Sequence, residues 1–474
     1  MSTIKALQSL DKETKASVYI VGGYVRDLLR NKDNSDLDIV VCGLQFDSIK
    51  KFLAKHGAVK EVSLAKTNEN FGINILLFRG DDGVEAQITL PRRGKLQIPD
   101  SHNTLSQDVK FRDFKINSLY LPIGRGKRDI IDLVGGRDDI VNRRITSNGS
   151  PNERVKESPI RMMRAISLSC RTGYRISQDL IEAIKANAHL IKKCPEDGVR
   201  KELNRILLCK KPSKYLKLLD KVGLLEHIFP ELHKCIGVNQ DVKYHKYDVF
   251  NHLIYTCDNC PPDLKMRLAG LLHDVGKAET RRVVKATEGG EQRTTFHKHE
   301  LVSTKLAKRF LSRLKYDNNL SKEVIDLVKF HMFHYTREWT DAAVRKFIRK
   351  VNIPEEYMTE ESISKFPLFV LRSSERRGNG LKVEAVTDRQ RDFEKKIIDI
   401  YRESNGLEIK DLDINGNIVM DTFRMSPGVQ IGNLLKFLLD RVLENPQLNN
   451  RLDLLKLATE YLYNEKEKDN VAIN

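Results

Sequence analysis

The chain has 474 residues, of which 82 are Lys or Arg and 65 are Asp or Glu, giving a net charge of +17. That length suggests about three or four domains, and the excess of positive charge points to a polyanionic partner, with RNA or DNA ahead of a membrane surface. No run of ~18 apolar residues occurs, so no membrane-spanning helix is expected, and the N-terminal MSTIKALQSL lacks a signal-peptide core. The expectation is a cytoplasmic protein with no membrane partner. Seven cysteines are scattered along the chain, an odd count that argues against a disulfide framework. Cys257 and Cys260 form a single C-x-x-C with no second pair to complete a zinc ribbon, and are read as structural.

Residues 1–17 read as a lead-in helix. Val18-Tyr19-Ile20-Val21 reads as a strand, ended by Gly22-Gly23. Tyr24–Arg30 reads as a short helix opening at the glycines, and a polar turn leads to a second strand, Leu37–Val41. Asp36 and Asp38 stand two apart at the start of that strand. Side chains alternate along a strand, so both carboxylates point the same way. Paired carboxylates suit Mg²⁺, and bare glycine backbone at a helix start offers N–H groups to a phosphate. Together they suit metal-assisted attack on a nucleoside triphosphate.

A helix is expected near Phe46–His56, then strands over Gly72–Phe78 and Val84–Leu90, the latter carrying Glu85. Pro91–Val109 reads as a long polar loop. Phe111–Leu121, FRDFKINSLYL, follows with Arg112, Asp113 and Asn117; arginine is a natural phosphate clamp. A linker over Thr146–Asn152 separates this part from a chain that is almost all helix. Met162, Met163 and Ile166 are read as core. Lys192, Lys193, Arg200, Lys201, Arg205, Lys210 and Lys211 form a dense basic cluster suited to RNA phosphates, the other reading being a solvated helix face. Further on, His252, His273-Asp274 and His299, with His331 and His334, suggest a second site.

The run GG-x-x-R-D followed by D-x-D resembles the active-site signature of class II nucleotidyltransferases, the bacterial-type CCA-adding enzymes of tRNA and the related poly(A) polymerases. The resemblance implies that Asp36 and Asp38 hold Mg²⁺ and that Gly22, Gly23, Arg26 and Asp27 bind nucleotide. Glu85 is then either the third catalytic carboxylate or a surface strand residue. Arg112, Asp113 and Asn117 resemble the R-D-F-x-I-N motif that contacts sugar and triphosphate, and Asp132–Gly136 resembles the glycine turn ending the catalytic domain. Glu157–Ala165, ESPIRMMRA, resembles E-D-x-x-R-M-L-R-A, whose acidic pair and first Arg read the incoming base. Glu157, Arg161 and Arg164 match, and Ser158 stands where the family has Asp. Arg200, Glu202 and Leu203 resemble the E-R-x-x-x-E-L element, with Val199 in place of its first Glu.

LLHDVGK, residues 271–277, resembles the HD phosphohydrolase superfamily, in which His252, His273, Asp274 and His299 would bind a transition metal such as Mn, Ni or Fe. Ser374 stands where the last Asp ligand would be, and the adjacent Glu375 is turned by about 100° on a helix. An HD fold is expected, metal binding is left open, and little or no hydrolysis is expected. The tail, with Asp411-Leu412, Pro427-Gly428 and Ile431-Gly432 opening a helix to Asn445, resembles the segment that grips the tRNA elbow. The final polar residues are expected to fray.

The expected architecture is therefore α+β. A nucleotidyltransferase head over 1–147 precedes a helical neck over 148–235, an HD-type domain over 236–380 and a helical tail over 381–474. The resemblance implies addition of CMP and AMP to the 3′ end of tRNA from CTP and ATP. The alternatives are a poly(A) polymerase, a partial CC- or A-adding enzyme, or a tRNA-binding or HD hydrolase protein with a relic transferase site.

Overall fold

The computed structural model describes residues 1–63, 74–93, 98–284, 293–382, 384–403 and 409–471. The chain divides into two compact units, Met1–His233 with Arg313–Lys315, and Lys234–Ser312 with Tyr316–Asn474. The head and neck read as separate segments of sequence thus fall in one unit, and the HD segment and tail in the other.

The first unit begins with α1 (Thr3–Glu13), β1 (Ser17–Val21), α2 (Gly23–Leu29), β2 (Leu37–Cys42) and α3 (Phe46–Leu53). Three longer strands follow, β3 (Ala58–Ser63), β4 (Asn74–Arg79) and β5 (Glu85–Thr89). The strand expected from Gly72 thus starts at Asn74, residues 72 and 73 lying outside the described residues. Two short strands, β6 (Arg92–Arg93) and β7 (Ile98–Pro99), pair with each other, and α4 (Leu105–Asp108) closes the segment read from sequence as loop. Then come β8 (Leu119–Pro122), β9 (Ile131–Asp132) and α5 (Gly136–Val141).

A seven-stranded mixed sheet has the order β3-β4-β5-β2-β1-β8-β9. Strand β2 lies antiparallel to β1, with Val21 opposite Asp38, and parallel to β5, with Asp38 opposite Gln87. Alternation decides what each face carries: Leu37 and Ile39 are buried while Asp38 points to solvent. Ala6, Leu7 and Leu10 of α1 and Ile49 and Leu53 of α3 are also buried, the apolar stripes of two amphipathic helices.

After β10 (Arg144–Ile145) the chain turns helical, with α6 (Pro151–Glu157), α7 (Ile160–Thr172), β11 (Arg175–Ile176), α8 (Gln178–Asn187), α9 (Glu196–Leu207), α10 (Pro212–Lys221), α11 (Leu225–Ile228) and α12 (Pro230–His233). Met162, Met163 and Ile166 are fully buried, as expected. Cys170 of α7 is bridged to Cys209, just past α9, with Cα atoms 6.3 Å apart. The cysteine count did not suggest this pair, because 39 residues of sequence say nothing about a distance set by helix packing. Cys42, Cys194, Cys235, Cys257 and Cys260 form no disulfide among the described residues.

The second unit contains α13 (Val249–Asn259), α14 (Leu264–Leu272), α15 (Lys277–Thr280), the hairpin of β12 (Arg282–Val284) and β13 (Arg293–Thr295), α16 (His299–Arg313), α17 (Asn318–Phe330), α18 (Asp341–Val351), α19 (Pro367–Asn379) and α20 (Asp388–Glu403). Phe369, Phe393 and Ile397 centre its main core, with Tyr335 stacked on Phe393. A separate apolar cluster of Leu434, Leu438, Val442 and Leu454 joins α22 (Val429–Glu444) and α23 (Arg451–Val471), with Val419 of α21 (Gly416–Phe423). Helix α22 starts a few residues ahead of the expected Asn433. Helix α23 runs through most of the polar end of the chain to Val471; residues 472–474 lie outside the described residues.

Candidate nucleotide site and metal centre

The head site begins at Gly22, whose φ of +79° is a left-handed conformation that side chains rarely adopt. A Cβ there would also meet Asp38 Oδ2 at 3.0 Å. Glycine thus lets the backbone approach the carboxylate. Asp36 and Asp38 border a cavity of about 200 Å³ that is also lined by Gly22, Gly23, Arg26, Asn34, Arg92, Arg112, Asp113, Asn117 and Arg164. Neither aspartate forms an ion pair among the described residues. Desolvation raises the Asp38 pKa; Arg112 opposes this and the Asp36 charge reinforces it. A pair of repelling carboxylates lacking a counter-ion, open to a cavity, fits a divalent cation.

Arg26, Arg92, Arg112 and Arg164 are each held by an acid. Arg26 donates twice to Asp27, at 3.0 and 2.6 Å, and once to Asn117 Oδ1 at 2.7 Å. Asp27 also accepts from Arg30 at 2.7 Å and Asn34 at 2.8 Å. Burial pushes its pKa up, but these partners outweigh burial and hold it below the ordinary carboxylate value. Asp27, expected at the nucleotide, is therefore the buttress of Arg26 and does not line the cavity. Asp113 takes Arg164 at 2.7 Å; burial opposes its ionisation, and Arg164 with the Phe114 N–H overcomes it.

Sequence reading missed the support of Arg112. Its Nε donates to Asp108 Oδ2 at 2.7 Å and to Tyr120 Oη at 3.0 Å, and Tyr120 donates to the same carboxylate at 2.7 Å. Asp108 is wholly buried and also accepts from the Arg92 N–H at 2.9 Å. Burial and the neighbouring Arg112 charge lower the Arg92 pKa to about 10. The one available sequence signal was the i, i+4 spacing of Asp108 and Arg112.

Glu157, Ser158 and Arg161 are not among the residues lining the cavity. Arg161 is occupied by the Arg154 carbonyl at 2.8 Å, the Phe111 carbonyl at 3.1 Å and Glu157 at 3.2 Å. Glu157 also pairs with Arg154, which donates to the Arg112 carbonyl at 3.0 Å. This set ties α6 and α7 to the segment carrying Arg112. Ser158 ends α6, and its carbonyl accepts from the Arg161 N–H at 3.0 Å. Glu85 is likewise away from the cavity: it is exposed and paired to Arg79 at 3.0 Å. Of the basic cluster, Lys192, Lys193, Lys201, Lys210 and Lys211 are exposed, and Arg200 pairs with Asp197 at 2.9 Å. Arg205 reaches the cavity, together with Leu168, Arg171 and Glu202.

The second unit gathers His252, His273, Asp274, His299 and His331, all read from sequence as a second site; His334, read with them, is not in the group. Around Asp274, His299 Nε2 lies 3.0 Å from Oδ1 and His331 Nε2 3.4 Å from it; His273 Nε2 lies 3.4 Å and His252 Nε2 3.7 Å from Oδ2. The Nδ1 atoms of His273, His299 and His331 meet the carbonyls of Gly270, Phe296 and Val328 at 3.0, 2.8 and 2.7 Å. A carbonyl only accepts, so each Nδ1 carries the proton and each Nε2 offers a lone pair. Those buried Nε2 atoms lack hydrogen-bond partners. Imidazoles oriented by backbone acceptors around one carboxylate fit a transition metal. Lys277 reaches Asp274 Oδ2 at 2.7 Å, and with the histidines it holds Asp274 ionised against burial. Burial drives His252 down to about 3.

Ser374 turns away, donating to the carbonyls of Asn259 and Val370 at 3.1 and 2.8 Å. Glu375 is held by Arg372 at 3.1 Å; burial opposes its ionisation, but Arg372, His273 and His252 bring it to about 2.

A mixed sheet presenting two aspartates beside a Gly-Gly turn and an arginine-walled cavity defines a nucleotidyltransferase head. Residues 18–146 match the poly A polymerase head domain, 173–236 the probable RNA and SrmB-binding site of polymerase A, and 245–401 the HD domain. The chain belongs to the class II family of CCA-adding enzymes and poly(A) polymerases that carry an HD domain. It is 30% identical over 256 residues to an A-adding tRNA nucleotidyltransferase of Deinococcus radiodurans, covering 52% of this chain and 56% of that protein. It is 30% identical over 224 residues to a CCA-adding enzyme of Limosilactobacillus reuteri, covering 47% and 53%. The chain thus spans about half the length of these curated relatives. The fold is similar to that of the Bacillus stearothermophilus CCA-adding enzyme in complex with CTP, with a TM-score of 0.61, 18% identity and 98% of each chain covered. No helix among the described residues is long and apolar enough to cross a membrane.

Proposed function

We propose that this protein adds CMP and AMP to the 3′ end of tRNA, using CTP and ATP and releasing pyrophosphate. The observation that carries the reading is the cavity in which Asp36 and Asp38, without an ion pair among the described residues, share the wall with Arg26, Arg92, Arg112 and Arg164. Asp36 and Asp38 would hold Mg²⁺, which when bound supplies the Lewis acid for phosphoryl transfer. Arg112, kept cationic by Asp108, and Arg26, kept in place by Asp27 and Asn117, bind triphosphate oxygens. Gly22 lets that triphosphate approach the backbone beside Asp38. Asp113 and Arg164 bind the sugar side. The primer 3′ oxygen forms its bond to the α-phosphorus as the bond to the β-phosphate bridge breaks. The exposed lysines from Lys192 to Lys211, in a chain of net charge +17, suit tRNA phosphates.

The test is incubation with tRNA lacking CCA and labelled CTP or ATP, singly and together. Stepwise growth by two C and one A supports the reading. Growth by CC alone, A alone or a long A tract selects the partial or poly(A) alternatives, and no growth by a metal-supplied protein rejects transferase activity.

The buried Nε2 atoms favour a second reading, of the HD unit: Asp274 and its histidines hold one transition-metal ion. Hydrolysis there stays weak, because Ser374 contributes no ligand.

A further inference from the structure

The bridge between Cys170 and Cys209 lies on the seam between two helices that share the nucleotide cavity. Cys170 is in the last turn of α7, directly before Arg171, and Cys209 lies just past the end of α9. Leu168 and Arg171 line the cavity from α7, and Glu202 and Arg205 line it from α9. The seam does not depend on the bridge alone. Ser167 Oγ on α7 donates to Glu202 on α9, and apolar faces are buried along both helices. Breaking the bridge therefore loosens this wall without unfolding it.

The chemistry of the seven cysteines singles out this pair. Cys235, Cys257 and Cys260 are buried, and burial disfavours their thiolates. It also pushes the Cys42 and Cys194 thiols up to about 11. The thiolate is the form that reacts with oxidants. Cys170 and Cys209 are half-buried, so an oxidant reaches them. Arg171 follows the first, and Lys210 and Lys211 follow the second, and neighbouring cations favour a thiolate. Their Cα atoms, 6.3 Å apart, need no backbone movement for the bond to close or open.

We propose that Cys170 and Cys209 form a reversible redox clamp on the α7/α9 wall, and that the bridged form is the restrained, slower state of the enzyme. The proposal rests on the nucleotidyltransferase reading of the cavity. With hydrogen peroxide as oxidant, one thiolate attacks a peroxide oxygen, the O–O bond breaks, and a sulfenic acid and water form. The second thiolate then attacks the sulfenic sulfur, the S–S bond forms, and a second water leaves. Two thiols are oxidised and one peroxide is reduced. A dithiol reductant returns two electrons and two protons by thiol–disulfide exchange. The direction of the effect follows from size. The cavity holds about 200 Å³, whereas pockets for small ligands run to roughly 300–1,000 Å³. A nucleoside triphosphate enters as the walls part, and a covalent bond from α7 to α9 opposes that movement.

The experiment treats the intact protein, supplied with Mg²⁺, with hydrogen peroxide or with dithiothreitol, and compares wild type with Cys170→Ser and Cys209→Ser. Three readouts are taken after the reagent is removed: non-reducing peptide mass mapping, CTP and ATP affinity by titration calorimetry, and addition to tRNA lacking CCA. In wild type, peroxide is expected to link the peptides carrying Cys170 and Cys209, weaken both affinities and slow addition about tenfold, since a misplacement of order 1 Å at a reacting centre costs up to about a hundredfold. Dithiothreitol should restore all three. Each serine variant should match reduced wild type under both treatments. Peroxide-treated wild type without the linked peptide would overturn the proposal, as would a linked form that binds and adds nucleotide like the reduced one. The same loss in both serine variants would place the oxidant's target elsewhere and overturn it too. Should a serine variant fail to fold, wild type in its two states decides. No addition in either state would sink the transferase reading, and the difference in CTP affinity between the states would then decide the clamp.

Discussion

The two sites treat carboxylates in opposite ways. In the head, Asp36 and Asp38 stand at the rim of an open cavity with no ion-pair partner among the described residues, and their mutual repulsion awaits a cation. In the HD unit, Asp274 is buried and ringed by four imidazoles and Lys277. The first arrangement suits a metal that arrives with a polyanionic substrate, because its remaining ligands must come from phosphate and water. The second suits a resident ion, because the protein alone supplies nitrogen and oxygen donors already oriented through their Nδ1 atoms. Burial without an ion is costly, so Lys277 also serves to balance the Asp274 charge.

The contrast breaks if the head carboxylates prove dispensable. Asp36→Ala or Asp38→Ala should lower nucleotide addition by about a thousandfold or more, several kcal/mol of transition-state stabilisation, with the melting temperature little changed. Primer-extension rates check this, and near wild-type addition by either variant would move the catalytic site elsewhere.

A smaller effect should appear in stability. Asp108→Asn leaves the buried Arg112 beside a neutral group, which should cost about 3–5 kcal/mol. Urea titration of the head, followed by far-UV circular dichroism, reads the shift in midpoint; an unchanged midpoint would show that Arg112 does not depend on Asp108.

Acid should act on the same network. Asp27, Asp108 and Asp113 all have folded pKa values below the ordinary carboxylate value. The unfolded chain therefore binds more protons in this window. The stabilisation is complete above the unfolded value near ~4 and is lost as pH falls through the folded values. Melting temperature measured from neutral pH downward should drop below about pH 4, and less so in Asp108→Asn.

In the HD unit, replacing both His299 and His331 by Ala should reduce bound Mn or Ni, read by mass spectrometry after gel filtration, to background while addition stays within about twofold. Retained metal would place the ion on other ligands. The smallest effect is expected at Glu85→Gln. Its exposed pair with Arg79 contributes about 0–1 kcal/mol, and addition should change less than twofold; a large loss in rate would restore it as a third catalytic carboxylate.

Local order in the chain was enough for much of this. The apolar run into Gly22-Gly23, the D-x-D spacing and the R-D-F stretch are short-range patterns, and strand alternation converts them directly into two carboxylates on one face. The HD dipeptide and the helical remainder were legible for the same reason. Tertiary packing decided what such patterns cannot carry. Asp27 turned inward because Arg30 and Asn34 complete its hydrogen bonds, and Glu157 became a clamp because two arginines lie within a helical turn of it. His331 joined Asp274 across 57 residues of chain, counted from their numbers. Arg171, Glu202 and Arg205 reached the nucleotide cavity only because α7 packs on α9. A single sequence specifies side-chain direction within an element, but which elements share a cavity depends on how their apolar faces are buried against each other.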